Sequence, residues 1–266
     1  LTDSLNRAGL RDQVHLRGVD GGAGISDLLP VIIAADAKSE DDLTRLARRL
    51  VNAVAPALIA GSAGISVALA DEMSADRMLR KESVIGPGDR GRRVFIVTAS
   101  QRTIVEKQLA VLGSSIDLVL AELSLDEVLR GVDDESIAQM KELAKKDGVV
   151  VLKLSGAEAS LGVTKDQTIA LSKTIVQNLG SAVRKISDEV KLDTLIVIGG
   201  DTASGVIEAC GVASLELQGE LQPGTVSGVA LDGSITDSLL ITRSGGFGGE
   251  HALLELVTLL EFGHNV

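Results

Sequence analysis

The sequence has no tryptophan and no tyrosine, and its phenylalanines stand only at 95, 247 and 262. Aromatics make up 1% of a chain that is 45% hydrophobic, so Val, Ile, Leu and Ala must build the core, a mixture suited to sheets covered by helices. The same shortage argues against the aromatic platforms on which single-stranded nucleic acid stacks. A single cysteine, Cys210, rules out an intramolecular disulfide and a zinc cluster built on several cysteines. Its place in an apolar helical segment reads as a small core residue. No run reaches the roughly 18 apolar residues of a membrane span, and the opening LTDSLNRAGLRDQ lacks the basic-then-apolar pattern of an export signal. A cytoplasmic protein with no membrane partner is the expectation. A formal charge of −11 repels polyanions. The one compact basic run, RGRR at 90–93, reads as a solvated linker, so no nucleic-acid partner is expected.

What is present is an alternation of short apolar runs and amphipathic segments over 266 residues. VIIAA (31–35), ALIA (57–60), VFIVT (94–98), IDLVL (116–120), VVVLKL (149–154) and LIVI (195–198) read as strands. Helical spacing marks 39–52, 62–72 and 165–190, the last with Ile175, Leu179, Val183, Ile186 and Val190 on one stripe. Continuous Val/Ile strands separated by helices predict an α/β fold with parallel-rich sheets covered by helices. Near the C-terminus, SLELQGELQPGTVSGVALDGSITDSLLITRSGG carries short β-rich pieces punctuated by Gly and Pro, predicting a meander before the closing helix EHALLELVTLLEF. Charge, Gly and Pro replace the apolar period at 80–93, which divides the chain into two unequal parts, 1–85 and 86–266.

Three strand-to-helix turns could carry chemistry. In LIVIGGDTASGVIEACGV, Gly199, Gly200, Asp201 and Thr202 follow an apolar strand and open a helix. Glycines admit a ligand close to the backbone, and the free amides of a helix start attract phosphate. Thr202 offers a hydroxyl, and Asp201 could orient a hydroxyl or a magnesium-bound water. A plain helix cap by Asp201 or Thr202 explains the turn equally well. LLITRSGGFGGEHALLE repeats the arrangement, with Arg243 ahead of Gly245, Gly246, Gly248 and Gly249. That is more glycine than a hairpin or cap requires, and a flexible connector would not need a cation and a serine directly ahead. Two such turns in one part of the chain point to a nucleotide held between them. In VFIVTASQRTIVEKQLAVL, Ser100 follows a strand and opens a helix; by itself it reads best as an N-cap. There is no GxxxxGK[ST] and no GxGxxG after a strand. His15, His251 and His264 lack metal-ligand spacing, so no protein metal site is expected. GSAG at 61–64 lacks the nucleophile-elbow pattern.

With these motifs in order, the chain resembles the four-carbon acid sugar kinase family, first described as a domain of unknown function. IGGDTASGVIEACGV is similar to that family's glycine-glycine-acid-threonine turn, GELQPGTVSGV to its Gly-Glu…Pro-Gly segment, and LLITRSGGFG to its Thr-Lys-Ser-Gly-Gly-Phe-Gly. VIIAADAKSEDDLTRLA and LIAGSAGISVALA resemble the end of its sugar-acid-binding domain. The resemblance implies an ATP- and magnesium-dependent kinase of threonate- or erythronate-like acids. Its nucleotide contacts would fall at Ser100, Gly199, Gly200, Asp201, Thr202, Arg243, Gly245, Gly246 and Gly248. Departures are Ala99 and Arg102 where the family has glycine and serine, and Arg243 where Lys is usual.

The family's opening Asp-Asp-Leu-Thr-Gly motif has no counterpart, and EDDLTRL at 40–46 is rejected as a substitute because Arg45 stands where glycine belongs. The catalytic base is therefore left unassigned. The expectation is that the chain alone does not phosphorylate a sugar acid at a useful rate, and that a separate N-terminal half or a homo-oligomer is its partner. The alternative reading is a non-catalytic nucleotide-binding protein or a half-protein that needs a separate N-terminal partner; a Rossmann-like oxidoreductase is disfavoured by the lack of its fingerprint.

Overall fold

Apolar runs rich in Val and Ile are extended because β-branched side chains lose little rotamer freedom on a pleated sheet. The computed structural model describes residues 14–18, 32–53, 58–75, 93–156 and 165–262. The chain forms two units, Leu1–Glu82 and Ser83–Val266. The segment 80–92, on which the sequence boundary was placed, lies outside the described residues.

In the first unit, β1 (Val14–Gly18) and β2 (Ile32–Asp36) pair in parallel, Val14 opposite Ile32. Helices α1 (Glu40–Val51) and α2 (Ala63–Ala75) follow. They share a small core of Ala47, Ile65 and Ala68, flanked by Leu43, Leu46, Leu50 and Leu69. Ser39 caps α1 reciprocally: its hydroxyl accepts from the Asp42 amide, and the Asp42 carboxylate accepts from the Ser39 amide. Hydrogen bonds from the Lys38 backbone, Arg45 and Ser39 hold the Asp42 pKa down to about 2. Of the run ALIA, Ala57 lies outside the described residues; residues 58–60 have no regular structure, and Leu58 and Ile59 are exposed.

The second unit is built on a sheet of seven strands: β3 (Arg93–Thr98), β4 (Leu118–Ser124), β5 (Gly148–Ser155), β6 (Thr194–Ile198), β7 (Leu215–Gln222), β8 (Thr225–Ala230) and β9 (Leu239–Arg243). The spatial order is β4-β5-β3-β6-β9-β8-β7. The first five in that order are mutually parallel, whereas β8 runs antiparallel to both β9 and β7. Thus β9, which the sequence groups with the meander, also extends the parallel sheet beside β6.

Helices α3 (Thr103–Ser115) and α8 (Ala252–Phe262) cover one face through Val105, Leu109, Leu112, Leu253, Leu256 and Val257. The other face carries α4 (Leu125–Arg130), α5 (Asp134–Ala144), α6 (Lys165–Ser187) and α7 (Gly200–Ala209). The predicted stripe Ile175, Leu179, Val183, Ile186 and Val190 is buried there. Cys210 is fully buried, and burial pushes its thiol pKa up.

Arg93, the end of the basic run, is not a solvated linker residue. It opens β3 and makes a two-pronged ion pair with Asp193, at 2.7 and 2.9 Å, which holds the Arg93 pKa above its usual value. Planar guanidinium and carboxylate match in this geometry, and the pair anchors the start of β3 beside the start of β6.

Candidate functional site

The register places the three candidate turns side by side. Thr98 lies opposite Ile198, and Ile198 opposite Arg243, so β3, β6 and β9 end together. From these neighbouring ends the chain leaves toward opposite faces, to α3 and α8 on one side and to α7 on the other. Adjacent parallel strands whose helices diverge in this way leave a crevice at their carboxyl edge. The structure therefore brings Ser100, the Gly199–Thr202 turn and the 244–249 loop to one edge.

Helix α7 begins without a side-chain cap. Its N-cap is Gly199, at φ 109°, and neither Asp201 nor Thr202 closes the first turn. The left-handed backbone favours glycine at 199, and a Cβ there would also lie 3.3 Å from the Thr202 hydroxyl. Thr202 is buried and Asp201 exposed. A Cβ at Gly200 would meet nothing within 4 Å, so the space over this turn is open. Uncapped first-turn amides beside open space are the elements of an anion site. The Gly199 amide donates to the Arg243 carbonyl at 2.8 Å, tying this turn to the end of β9.

Ser100 is not the N-cap of α3; Arg102 holds that position and makes no side-chain cap. The Ser100 amide donates to the Thr98 hydroxyl, which in turn donates to the Ile198 carbonyl, so Thr98 bridges β3 to β6 beneath the serine. A Cβ on Gly245 would come within 2.9 Å of the Ser100 hydroxyl oxygen, and one on Gly246 within 2.8 Å of an Arg102 Nη. The glycine loop thus approaches the β3 turn closely.

The loop itself is held from below. Gly248 (φ 79°) is cradled by Ala252 and Arg243, which a Cβ would meet at 2.6 and 2.7 Å. The Phe247 ring covers Gly224 in the β7–β8 turn, where a Cβ would lie 2.7 Å from it. Arg243 is 3% exposed, and its Nη2 donates to the Phe247 carbonyl at 2.7 Å. Its Nε and Nη1 have no hydrogen-bond partner among the described residues. Burial pushes the Arg243 pKa down, partly opposed by the charge of Glu255. A buried cation short of partners is costly, and an anion nearby offsets that cost.

Two contributors escape the sequence motifs. Gln108 on α3 is 1% exposed and donates through Nε2 to the Phe247 and Gly249 carbonyls, at 3.2 and 2.9 Å. Its available signal was a glutamine set among the buried Val105, Leu109 and Leu112 of a helix. Gly224 carried no signal, because its role depends on where Phe247 lands.

Elsewhere, Asp42 is committed to capping α1 and Asp41 lies 3.6 Å from Arg45, arrangements that suit a helix start. Among the described residues no group of three or more His, Cys, Asp or Glu could hold a metal ion. No helix among them is long and apolar enough to cross a membrane.

A family model described as a nucleotide-binding C-terminal domain matches residues 95–253. The chain belongs to that family. The matched span starts in β3 and ends in α8, and so contains all three turns. Among curated proteins, this nucleotide-binding-domain chain is 24% identical over 264 residues to a D-threonate kinase of Salmonella typhimurium, covering 94% of this chain and 60% of the relative. It is 24% identical over 234 residues to a D-threonate kinase of Bordetella bronchiseptica, covering 86% and 52%. The chain thus spans a little over half the length of these curated relatives.

Solved structures share the fold. A Haemophilus influenzae protein of a domain-of-unknown-function family aligns with TM-score 0.59 and 17% identity, over 86% of this chain and 53% of that one. A Bordetella bronchiseptica protein of the same family, solved with bound citrate as a domain-swapped dimer, aligns with TM-score 0.50 and 20% identity, over 96% and 59%.

Proposed function

We propose that the second unit binds ATP with magnesium at the carboxyl edge of β3, β6 and β9, and that the chain serves an ATP-dependent kinase of four-carbon, threonate- or erythronate-like acids. The observation that carries this reading is the convergence of an uncapped α7 start, Ser100 and a four-glycine loop on one edge, with a buried arginine beneath. The substrate class rests on the similarity to proteins named D-threonate kinase.

In this reading the Gly200, Asp201 and Thr202 amides and the 245–248 loop receive the phosphates, and Ser100 adds a hydroxyl. Arg243 supplies positive charge from below. Magnesium fits without a protein cage, since it keeps most of its waters and takes one or two carboxylates plus phosphate oxygens; Asp201, exposed at the helix start, is the residue that would hold it through water. When bound, the ion would neutralise charge that grows on the transferring phosphoryl group. The chain's own part is positioning and fixed dipoles, set before substrate arrives.

Calorimetric titration with ADP and magnesium tests this. Binding heat is expected, and nucleotide at about a hundred times its Kd should stabilise the fold by about 2.7 kcal/mol. No heat and no change in melting at millimolar nucleotide refutes the site. A coupled ADP-release assay over four-carbon acids tests the kinase activity separately.

A further inference from the structure

Gln108 is a polar side chain on the buried face of α3, between Val105 and Leu109 on one side and Leu112 on the next turn. A buried carboxamide is tolerated only where its donors are used. Here its Nε2 reaches across to two carbonyls of the glycine loop, Phe247 at 3.2 Å and Gly249 at 2.9 Å. The Phe247 carbonyl takes a second donor, Arg243 Nη2, at 2.7 Å. The Gly249 carbonyl also accepts from the Ala252 amide at 3.2 Å.

These bonds determine which way the loop's amides face. In a planar trans peptide the C=O and the following N–H point in opposite directions. With the Phe247 carbonyl drawn down onto Gln108 and Arg243, the Gly248 N–H points away from those buried side chains. Among the described residues, that N–H has no hydrogen-bond partner. A loop of four glycines has no intrinsic reason to keep this orientation, because glycine crosses between backbone regions at little cost. The two donors supply the reason.

We infer that Gln108 is a positioning residue for the nucleotide site: with Arg243 it fixes the Phe247–Gly248 peptide so that the Gly248 N–H is presented to a phosphate oxygen. The inference rests on the nucleotide reading above. It also gives Arg243 a specific task, acting on the phosphate through the loop as well as through its charge. Gln108 never touches the nucleotide.

The test uses the whole chain with ADP and magnesium. In Gln108→Met, which keeps the volume and removes the donors, the Kd for ADP should rise at least tenfold at a temperature where the variant is folded. Met140→Ala, a cavity in the core on the opposite face of the sheet, controls for lost stability and should leave the Kd within twofold. In the wild-type chain, the backbone amide resonance of Gly248 should move downfield on ADP addition, a reading that needs no variant to fold. If Gln108→Met binds ADP as the wild type does, or if the Gly200 and Asp201 amides move while Gly248 stays, the inference is overturned and the nucleotide site stands. If wild type gives neither heat nor any amide shift, the nucleotide reading falls and the inference with it.

Discussion

Gly205→Ala is a one-carbon change whose effect can be worked from the packing of α6 on α7. The two helices touch backbone to backbone: a Cβ on Gly205 would lie 2.5 Å from the Val176 carbonyl oxygen and 2.9 Å from its carbon, and a Cβ on Gly180 would strike the Gly205 carbonyl in return. Backbone cannot swing aside as a side chain can, so the helices must separate by several tenths of an ångström. Overpacking of this kind costs about 1–3 kcal/mol, and alanine's better helix propensity returns about 1 kcal/mol. The net expectation is a loss of roughly 1 kcal/mol, which for a unit of this size lowers Tm by about 2–4 °C.

The displaced element is α7, whose first turn carries Gly200–Thr202, so ADP affinity should fall along with stability. With no Trp or Tyr for fluorescence, circular dichroism melting and ADP calorimetry are the suitable assays. Gly180→Ala should behave alike. Because both changes strain one interface, the double variant should lose less than the sum of the two. A Gly205→Ala chain at least as stable as wild type would show that the helix contact yields freely, and the reasoning from close approach would be wrong.

Other perturbations separate site from scaffold. Gly200→Val places its side chain in open space, so the apo chain should melt within a few degrees of wild type while ADP binding is lost; normal ADP binding by this variant would make the turn a mere connector. Asp42 titrates from a folded pKa of about 2 against an ordinary 3.8. Because the folded value is the lower one, its contribution to α1 is fully present above pH 3.8 and is lost as the pH falls toward 2. A carboxylate NMR titration of Asp42 with a midpoint near 4 would contradict the capping geometry.

Much of the second unit was legible in the sequence because local chemistry and tertiary environment agree there. VFIVT, VVVLKL and LIVI are dominated by β-branched and aliphatic residues, and each lies within a strand largely buried on both faces of the sheet. The stripe from Ile175 to Val190 fits a helix that buries one side. The run IDLVL begins two residues ahead of its strand: Ile116 closes α3, and β4 runs on from Leu118 through Glu122, which lies 3.5 Å from Lys153 on the neighbouring strand. Hydropathy could not see that a charged residue would pair across the sheet. In the first unit ALIA had the composition of a strand, yet its residues 58–60 have no regular structure, and composition alone does not make a ladder.

The candidate site divides along the same line. By itself the sequence determined that glycines follow strands and precede helices at 199–200 and 245–249; positive φ selects glycine at 199 and 248, and close approach selects it at 245 and 246. It also determined the acidic charge and the aromatic-poor core. Only the tertiary structure decided that β9 inserts beside β6, which sets Arg243 level with Ile198 and Thr98 and makes one edge of three distant turns. Only it could show that Gln108, far from the loop in sequence, supplies the loop's buried donor. Strand order and helix-to-loop contacts depend on residues many positions apart, and no window of sequence contains both partners.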